Sequence, residues 1–393
     1  MPFLTSAHLG LKKRVQDLVD KLIAPHAKDI EGASQFPRRA YKAFCREKLF
    51  ALAMPKSHGG PEADSLSLAL MVETISTVSP SSALLVFPSN AVLRTIALTG
   101  TADQKDRFFS ELRGGDQPLA FCLTEPDHGS DAGNLATRAV AEGASYLVSG
   151  TKSFVTLGPN ARYYLTFVRT GPGPRAAGIS ALLIPREAEG LSFGPPEKKM
   201  GLHGSVTSQM YLDQVRVPKA NRLWGEGEGW RLLTEVANPM RVWGAASMAL
   251  GAAQGLFNLA LKHARREKSG GHSLIGQQAV SFLLADMRTR IEASRSLNYR
   301  TCALLDRGGA HPREMETLVS MAKYYASDTA MQVAGMAGEV MGQAMAVGDS
   351  LAARLFCVAK GIQIFDGSNQ VQRLIVARNL AYVNENGGAE QGL

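Results

Sequence analysis

The sequence predicts an α+β chain in which a β region lies between two helical regions, because the period of its apolar residues changes twice. From Leu11 to about Leu112 apolar residues recur at three- and four-residue spacing, as in LSLALMVETIS, with Pro and Gly mainly between segments. That spacing places them on one face of a helix, so several helices are expected. Between roughly Gln117 and Arg222 the period becomes two, in SYLVSG, RYYLTFVRT, GISALLIP and SQMYLDQVRVP, punctuated by Gly, Pro and Asn. Short strands follow from that alternation. After Gly225 the helical period returns in WGAASMALGAAQGLFNLALKHARR, QQAVSFLLADMRTRIEASRSLNYRTCALL and METLVSMAKYYASDTAMQVAGMAGEVM. Such long runs with few breakers predict an antiparallel bundle.

Bulk properties narrow the class. A chain of 393 residues suits two or three packed units, and 45% hydrophobic with 20% charged residues is ordinary globular composition. Apolar runs such as SALLVF are too short to cross a bilayer, and MPFLTSAHLGLKKRVQDLV lacks the layout of a signal peptide. Cys45, Cys122, Cys302 and Cys357 lie far apart without a CxxC pair, which supports neither disulfides nor zinc. A soluble protein of the reducing cytoplasm is expected. The net charge of +8 favours an anionic partner. Its Lys and Arg residues are scattered rather than interleaved with aromatics, which disfavours nucleic acid. A phosphate-rich small molecule and an acidic carrier protein fit equally.

Common motifs are missing. There is no GxxxxGK[ST], HExxH or GxSxG, and GEGEGW at Gly225–Trp230 lacks dinucleotide spacing. The stretch LAFCLTEPDHGSDAGNLATRA, Leu119 to Ala139, carries more. It joins a strand-like run to a loop of small and polar residues, among them Thr124, Glu125, Gly129, Ser130 and Asp131. Loops of this composition offer hydroxyls and backbone N–H groups to a polar ligand, although many are ordinary connections.

FCLTEPDHGSD resembles the flavin-binding signature of the acyl-CoA dehydrogenase family, and the likeness extends along the chain. ALAMPKSHGG (Ala51 to Gly60) is similar to an N-terminal turn of that family, and GTKSFVTLGPNARYYLTFVRT to its second flavin-contacting segment. QMYLDQVRVPKANRLWGEGEGW resembles its sheet-to-helix crossover, and AKGIQIFDGSNQVQRLIVAR its closing signature. The resemblance implies an N-terminal all-α domain over 1–116, a middle antiparallel β-barrel-like domain over 117–228 and a C-terminal four-helix bundle over 229–393. It also implies α,β-dehydrogenation of an acyl-CoA or acyl-carrier-protein thioester, with FAD as hydride acceptor and an electron-transfer flavoprotein as the next acceptor. A homodimer or homotetramer is the implied assembly, a heteromer the alternative.

Roles carry over by position. Phe121, Leu123 and Thr124 are expected along the flavin ring, Gly129 and Ser130 near phosphate or substrate, and Phe154 where the family usually has Trp. Thr156 matches a hydroxyl beside the ring, and Gln278, Ser368 and Gln370 match residues that grip FAD. Asp366 falls on the position of the α-proton base, where Glu is usual, with Gly367 and Arg241 on the substrate side. A base for a weakly acidic α-C–H must lie close and be partly desolvated. Aspartate supplies the same group one methylene short. The other carboxylate position used in the family holds Met240, and Asn238 replaces a frequent acidic neighbour, so Asp366 is the candidate base.

The resemblance breaks where FAD adenosine and pyrophosphate would be gripped. Aligned on LADM (Leu284 to Met287), an expected Arg is Glu267 and an expected Phe is Gly270, whereas Gly271 and Gln278 are kept. Arg266 and Lys268 flank the gap. In EVMGQ, Glu339 stands for Gln and Gln343 for Gly. The alternatives to a dehydrogenase are therefore a flavin monooxygenase or oxidase on the same fold, or a weakly flavin-binding subunit of a heteromeric dehydrogenase.

Overall fold

The computed structural model describes residues 4–32, 36–347 and 349–385. In chain order come α1 (Ser6–Leu18), α2 (Ala27–Gly32), α3 (Arg38–Arg46), α4 (Ser65–Ser76), α5 (Pro80–Thr99) and α6 (Ala102–Leu112). Strands follow as β1 (Leu119–Cys122), β2 (Arg138–Glu142), β3 (Ser145–Thr156), β4 (Tyr163–Arg169), β5 (Ile179–Pro185), β6 (Leu191–Phe193), β7 (Thr207–Pro218) and β8 (Arg222–Leu223). Then come α7 (Gly229–Leu232), α8 (Ala245–Arg266), the short strands β9 (Lys268–Ser269) and β10 (His272–Ser273), and α9 (Gln278–Arg307). α10 (Pro312–Met341), α11 (Gln343–Ala346), α12 (Leu351–Ile362) and α13 (Asn369–Glu385) are the last of the described elements. The α, β, α order matches the two changes of period.

Residues 13–64 and 78–237 form one compact unit. Its sheet runs in the order β6-β7-β3-β2-β4-β5-β8, with β1 beside β4. Most pairings are antiparallel, as expected, but β1 and β2 each pair parallel with β4, which makes the sheet mixed. β4 and β5 do not alternate in burial; almost every residue in them is buried. They are inner strands, and α7 packs on β5. α5 packs on β1, where Ser89 Oγ accepts from Leu119 N at 2.9 Å. By length and composition α5 is apolar enough to span a bilayer, which corrects the expectation drawn from shorter runs, but 78% of its apolar window is buried inside the protein.

Residues 1–12, 65–77 and 238–393 form the other unit. α8, α9 and α10 pack on one another, α13 lies on α10, and α12 lies on both α8 and α10. α4 packs against α8 and α9 and is buried on every side. Its only carboxylate, Glu73, is fully paired: Arg295 Nε donates to Oε1 at 2.9 Å and the Tyr299 hydroxyl to Oε2 at 2.7 Å. Burying a charge without such partners would be strongly destabilising. Two glycines set the α4–α8 approach. A Cβ on Gly251 would run into Glu73 O and Ser76, and one on Gly255 into Thr77 O.

Gly251→Ala should therefore force the two helices apart and destabilise the protein by about 1–3 kcal/mol. Denaturant unfolding monitored by circular dichroism checks this, and an unchanged midpoint would show the contact to be soft.

Candidate functional site

In the sheet unit, the chain leaves β1 at Cys122 and enters the loop of Leu123, Thr124 and Glu125. Glu125 was expected among groups offered to a ligand; instead it turns inward and is 4% exposed. Its carboxylate meets Lys152 Nζ at 2.7 Å and accepts from the backbone N–H groups of Ala136 at 2.5 Å and Thr137 at 3.0 Å. Lys152, wholly buried in β3, also donates to Leu123 O at 3.2 Å. Burial pushes the Glu125 carboxyl up, but Lys152 and the N–H donors together bring it below its ordinary value. Burial also holds Lys152 below the usual lysine range, with Glu125 pulling the other way. The pair ties the loop to β3.

β3 carries a bulge between Lys152 and Val155, and Phe154 sits in it at φ 54°. Bulges re-aim side chains, and here the ring is left 61% exposed. A left-handed aromatic residue costs about 1–2 kcal/mol of backbone energy, so the position is held by its surroundings. One support is Ser153 N, which donates to Thr124 O at 2.8 Å and joins the bulge to the loop. Phe121, Leu123, Thr124 and Thr156 are half-buried, and Gly129 and Ser130 are exposed on the same loop. An open aromatic ring held against its backbone preference, beside a partly open strand end with hydroxyls, fits the flat ring of a flavin. All seven flavin-side residues named from the sequence lie in the sheet unit.

In the helical unit, Asp366 and Gly367 lie in succession at φ 54° and 77° in the link from α12 to α13. Arg241 Nε donates to Asp366 O at 2.8 Å and lies 3.5 Å from Oδ1. Asn238 Oδ1 accepts from Arg241 Nη2 at 2.8 Å, so this neutral neighbour orients the guanidinium. Asp366 Oδ2 is buried and has no hydrogen-bond partner. Ser368 Oγ accepts from Val371 N at 3.4 Å, and Gln370 is exposed. Met240 is 3% exposed and lies in the core.

Sequence reasoning missed Lys323 of α10. Its ammonium, fully buried, donates to Gly367 O at 2.8 Å and Asn369 Oδ1 at 3.0 Å. Burial, only partly opposed by Asp366, lowers it to about 8. The available signal was a lysine on the small-residue face of a long helix, at the spacing Lys323, Ser327, Ala330.

The segment expected to grip adenosine has its own geometry. β9 and β10 form a hairpin whose two turn residues, Gly270 and Gly271, have φ 59° and 84°. A two-residue turn of this hand needs positive φ at both places, which explains glycine where Phe was expected. Arg266, Glu267 and Lys268 are all exposed at its base, and Gln278 opens α9, also exposed. Glu339 is exposed near the end of α10, and Gln343 is exposed after Gly342. No hydrogen bond or ion pair joins Gln278 to the Asp366 link among the described residues.

Glu125→Gln leaves Lys152 buried without a counter-charge and should cost about 3–5 kcal/mol at neutral pH. Because the folded carboxyl lies below its ordinary value of 4.5, the carboxylate stabilises above that value and the contribution is lost as pH falls through the folded one. The gap between wild type and variant should thus shrink in acid. Urea midpoints across pH check this, and a gap independent of pH would contradict it.

Three family models match: acyl-CoA dehydrogenase N-terminal domain over residues 5–116, middle domain over 120–215 and C-terminal domain over 227–381. An acyl-CoA dehydrogenase of Bacillus subtilis is 36% identical over 96% of this chain and 98% of its own length. The caffeyl-CoA reductase-Etf complex subunit CarC of Acetobacterium woodii is 31% identical over 93% of this chain and 96% of its own. The solved structure of butyryl-CoA dehydrogenase from Megasphaera elsdenii superposes with a TM-score of 0.91 at 28% identity, covering 96% of this chain and 99% of that one. The chain belongs to the acyl-CoA dehydrogenase family, FAD-dependent oxidoreductases of acyl thioesters.

Proposed function

We propose that this chain dehydrogenates the α,β-bond of an acyl thioester with Asp366 as the α-proton base. The observation that carries the assignment is the Asp366 carboxylate: Oδ2 is a buried acceptor without a donor, on a strained turn that Arg241 and Lys323 support. An unsatisfied buried acceptor costs about 1–3 kcal/mol, and such positions gather at functional sites. Asp366 takes the α-proton onto its carboxylate, and its backbone N–H is the expected donor to the thioester carbonyl, where negative charge develops. Arg241 holds the Asp366 peptide and lies beside Oδ1, so one guanidinium supports both the main chain and the side chain of the base. Bound FAD would supply the acceptor for the β-hydride. Phe121, Leu123, Thr124, Phe154 and Thr156 would hold its ring, Gly129 and Ser130 its phosphates or the thioester, and Gln278, Ser368 and Gln370 the remainder. Gly367, next to the base on the proposed substrate side, takes positive φ, and a Cβ there would meet Gln372 Nε2.

An acyl-CoA is the substrate class and an electron-transfer flavoprotein the acceptor, in line with the names of the relatives. The net charge of +8 suits both CoA and an acidic acyl carrier. A homo-oligomer belongs to the same proposal: Phe282 of α9 and Leu374 and Leu380 of α13 are 60%, 69% and 59% exposed. A cytoplasmic location accords with four cysteines that form no disulfide with one another.

Anaerobic mixing of the FAD-loaded protein with a panel of acyl-CoA and acyl-carrier thioesters should bleach the flavin. Asp366→Asn should lower the bleaching rate by about 10²–10⁴-fold while flavin stays bound. Bleaching at the wild-type rate would remove Asp366 from the mechanism. Phe154→Ala should raise the dissociation constant of FAD, read from flavin fluorescence, and an unchanged constant would remove Phe154 from the flavin site.

A further inference from the structure

The link between α12 and α13, residues 363–368, carries two left-handed residues in a row, and the first, Asp366, is not glycine. A side chain in that conformation disfavours it by about 1–2 kcal/mol. The link also leaves the carbonyls of Asp366 and Gly367 outside any helix ladder. Something must therefore hold both the backbone shape and its acceptors.

α10 does so. Lys323 Nζ donates to Gly367 O at 2.8 Å and to Asn369 Oδ1 at 3.0 Å. One turn further on, Ser327 Oγ also lies 3.0 Å from Asn369 Oδ1. Asp328 Oδ1 then accepts from Asn369 Nδ2 at 2.8 Å and from Gln363 Nε2 at 2.6 Å. Lys323 and Ser327, one turn apart, share a helix face and Asp328 follows beside them, so a single helix meets the link at both ends. Gln372 Nε2 adds a weaker donor to Gly367 O at 3.2 Å. Ser327 and Asp328 hold the ends, whereas Lys323 alone brings a charge to the carbonyl next to Asp366.

We propose that Lys323 is a positioning residue for Asp366: clamped on the Gly367 carbonyl and the Asn369 amide oxygen, its ammonium keeps the left-handed turn that sets the place of the Asp366 carboxylate. This rests on Asp366 being the base. Lys323→Met has similar length and keeps the buried volume but removes every donor and the charge. Gly367 O then keeps only the long Gln372 bond, and the turn relaxes toward conformations in which the carboxylate is displaced. A displacement on the order of 1 Å at a reacting group costs about 10²-fold in rate.

The test is single-turnover flavin reduction by the best acyl-CoA of the panel, expressed per bound flavin. Exchange of the thioester α-hydrogen in deuterium oxide, followed by mass spectrometry, runs in parallel. Lys323→Met should lower both rates about 10–100-fold while the half-saturating acyl-CoA concentration stays within about threefold. A merely structural lysine would lower the melting temperature and flavin content but leave the per-flavin rates at wild type, which overturns the proposal. Asn369→Ala, which removes one Lys323 acceptor and leaves the cation, should give a smaller loss of the same kind. If Lys323→Met yields no flavin-loaded protein, Asn369→Ala decides, and wild-type rates there overturn the proposal. Asp366→Asn is run alongside. If it keeps wild-type exchange, the base assignment fails; if it is inactive while Lys323→Met reacts normally, only the role of Lys323 falls.

Discussion

The left-handed backbone at Asp366 is the constraint around which the helical unit is organised. A non-glycine residue keeps that conformation only when its neighbours over-determine it. Here Arg241 takes the carbonyl of Asp366, Lys323 that of Gly367, and Asp328 the side chains on either side of the link. The sheet unit uses the same device. Lys152, also fully buried, donates to Leu123 O and pairs with Glu125, beside the left-handed Phe154. In each unit a buried lysine donates to a main-chain carbonyl close to a residue of left-handed backbone. Buried ammonium groups are tolerated only with such partners.

Aspartate in place of glutamate fits this organisation. With one methylene fewer, the carboxylate stays near its own backbone, and Oδ1 remains 3.5 Å from the guanidinium that also holds the carbonyl. Main chain and side chain of one residue are thus fixed by one arginine. Asn238, neutral where an acid is frequent, leaves Arg241 without a competing carboxylate at its outer nitrogen.

Much of this was legible in the sequence because it depends on period and local composition. The two changes of apolar spacing mark the helical and sheet regions, and the TEP loop, Phe154 and Asp366 stand in recognisable segments. What was hidden depends on contacts between residues distant in the chain. β1 and β2 pair parallel with β4, which no alternation pattern encodes. Glu125 was legible as a polar loop residue, but its inward turn depends on Lys152, 27 positions away. Lys323 lies 44 positions from Gly367, in a helix whose period is equally satisfied by a solvated lysine. The hairpin at Gly270–Gly271 rests on a local feature, two glycines that take positive φ at both turn positions.

The glycines at 251 and 255 have a consequence of another kind. Where they meet Glu73 O, Ser76 and Thr77 O, helix backbone lies against helix backbone, with no side chain of α8 between. The spacing of α4 and α8 is then set by peptide groups, which are the same in every sequence. Mutation elsewhere in the bundle can enlarge, shrink or reshape side chains without moving that seam. An evolving lineage could therefore change the apolar residues of the bundle many times over while the frame that carries Arg241 and Lys323 keeps its dimensions.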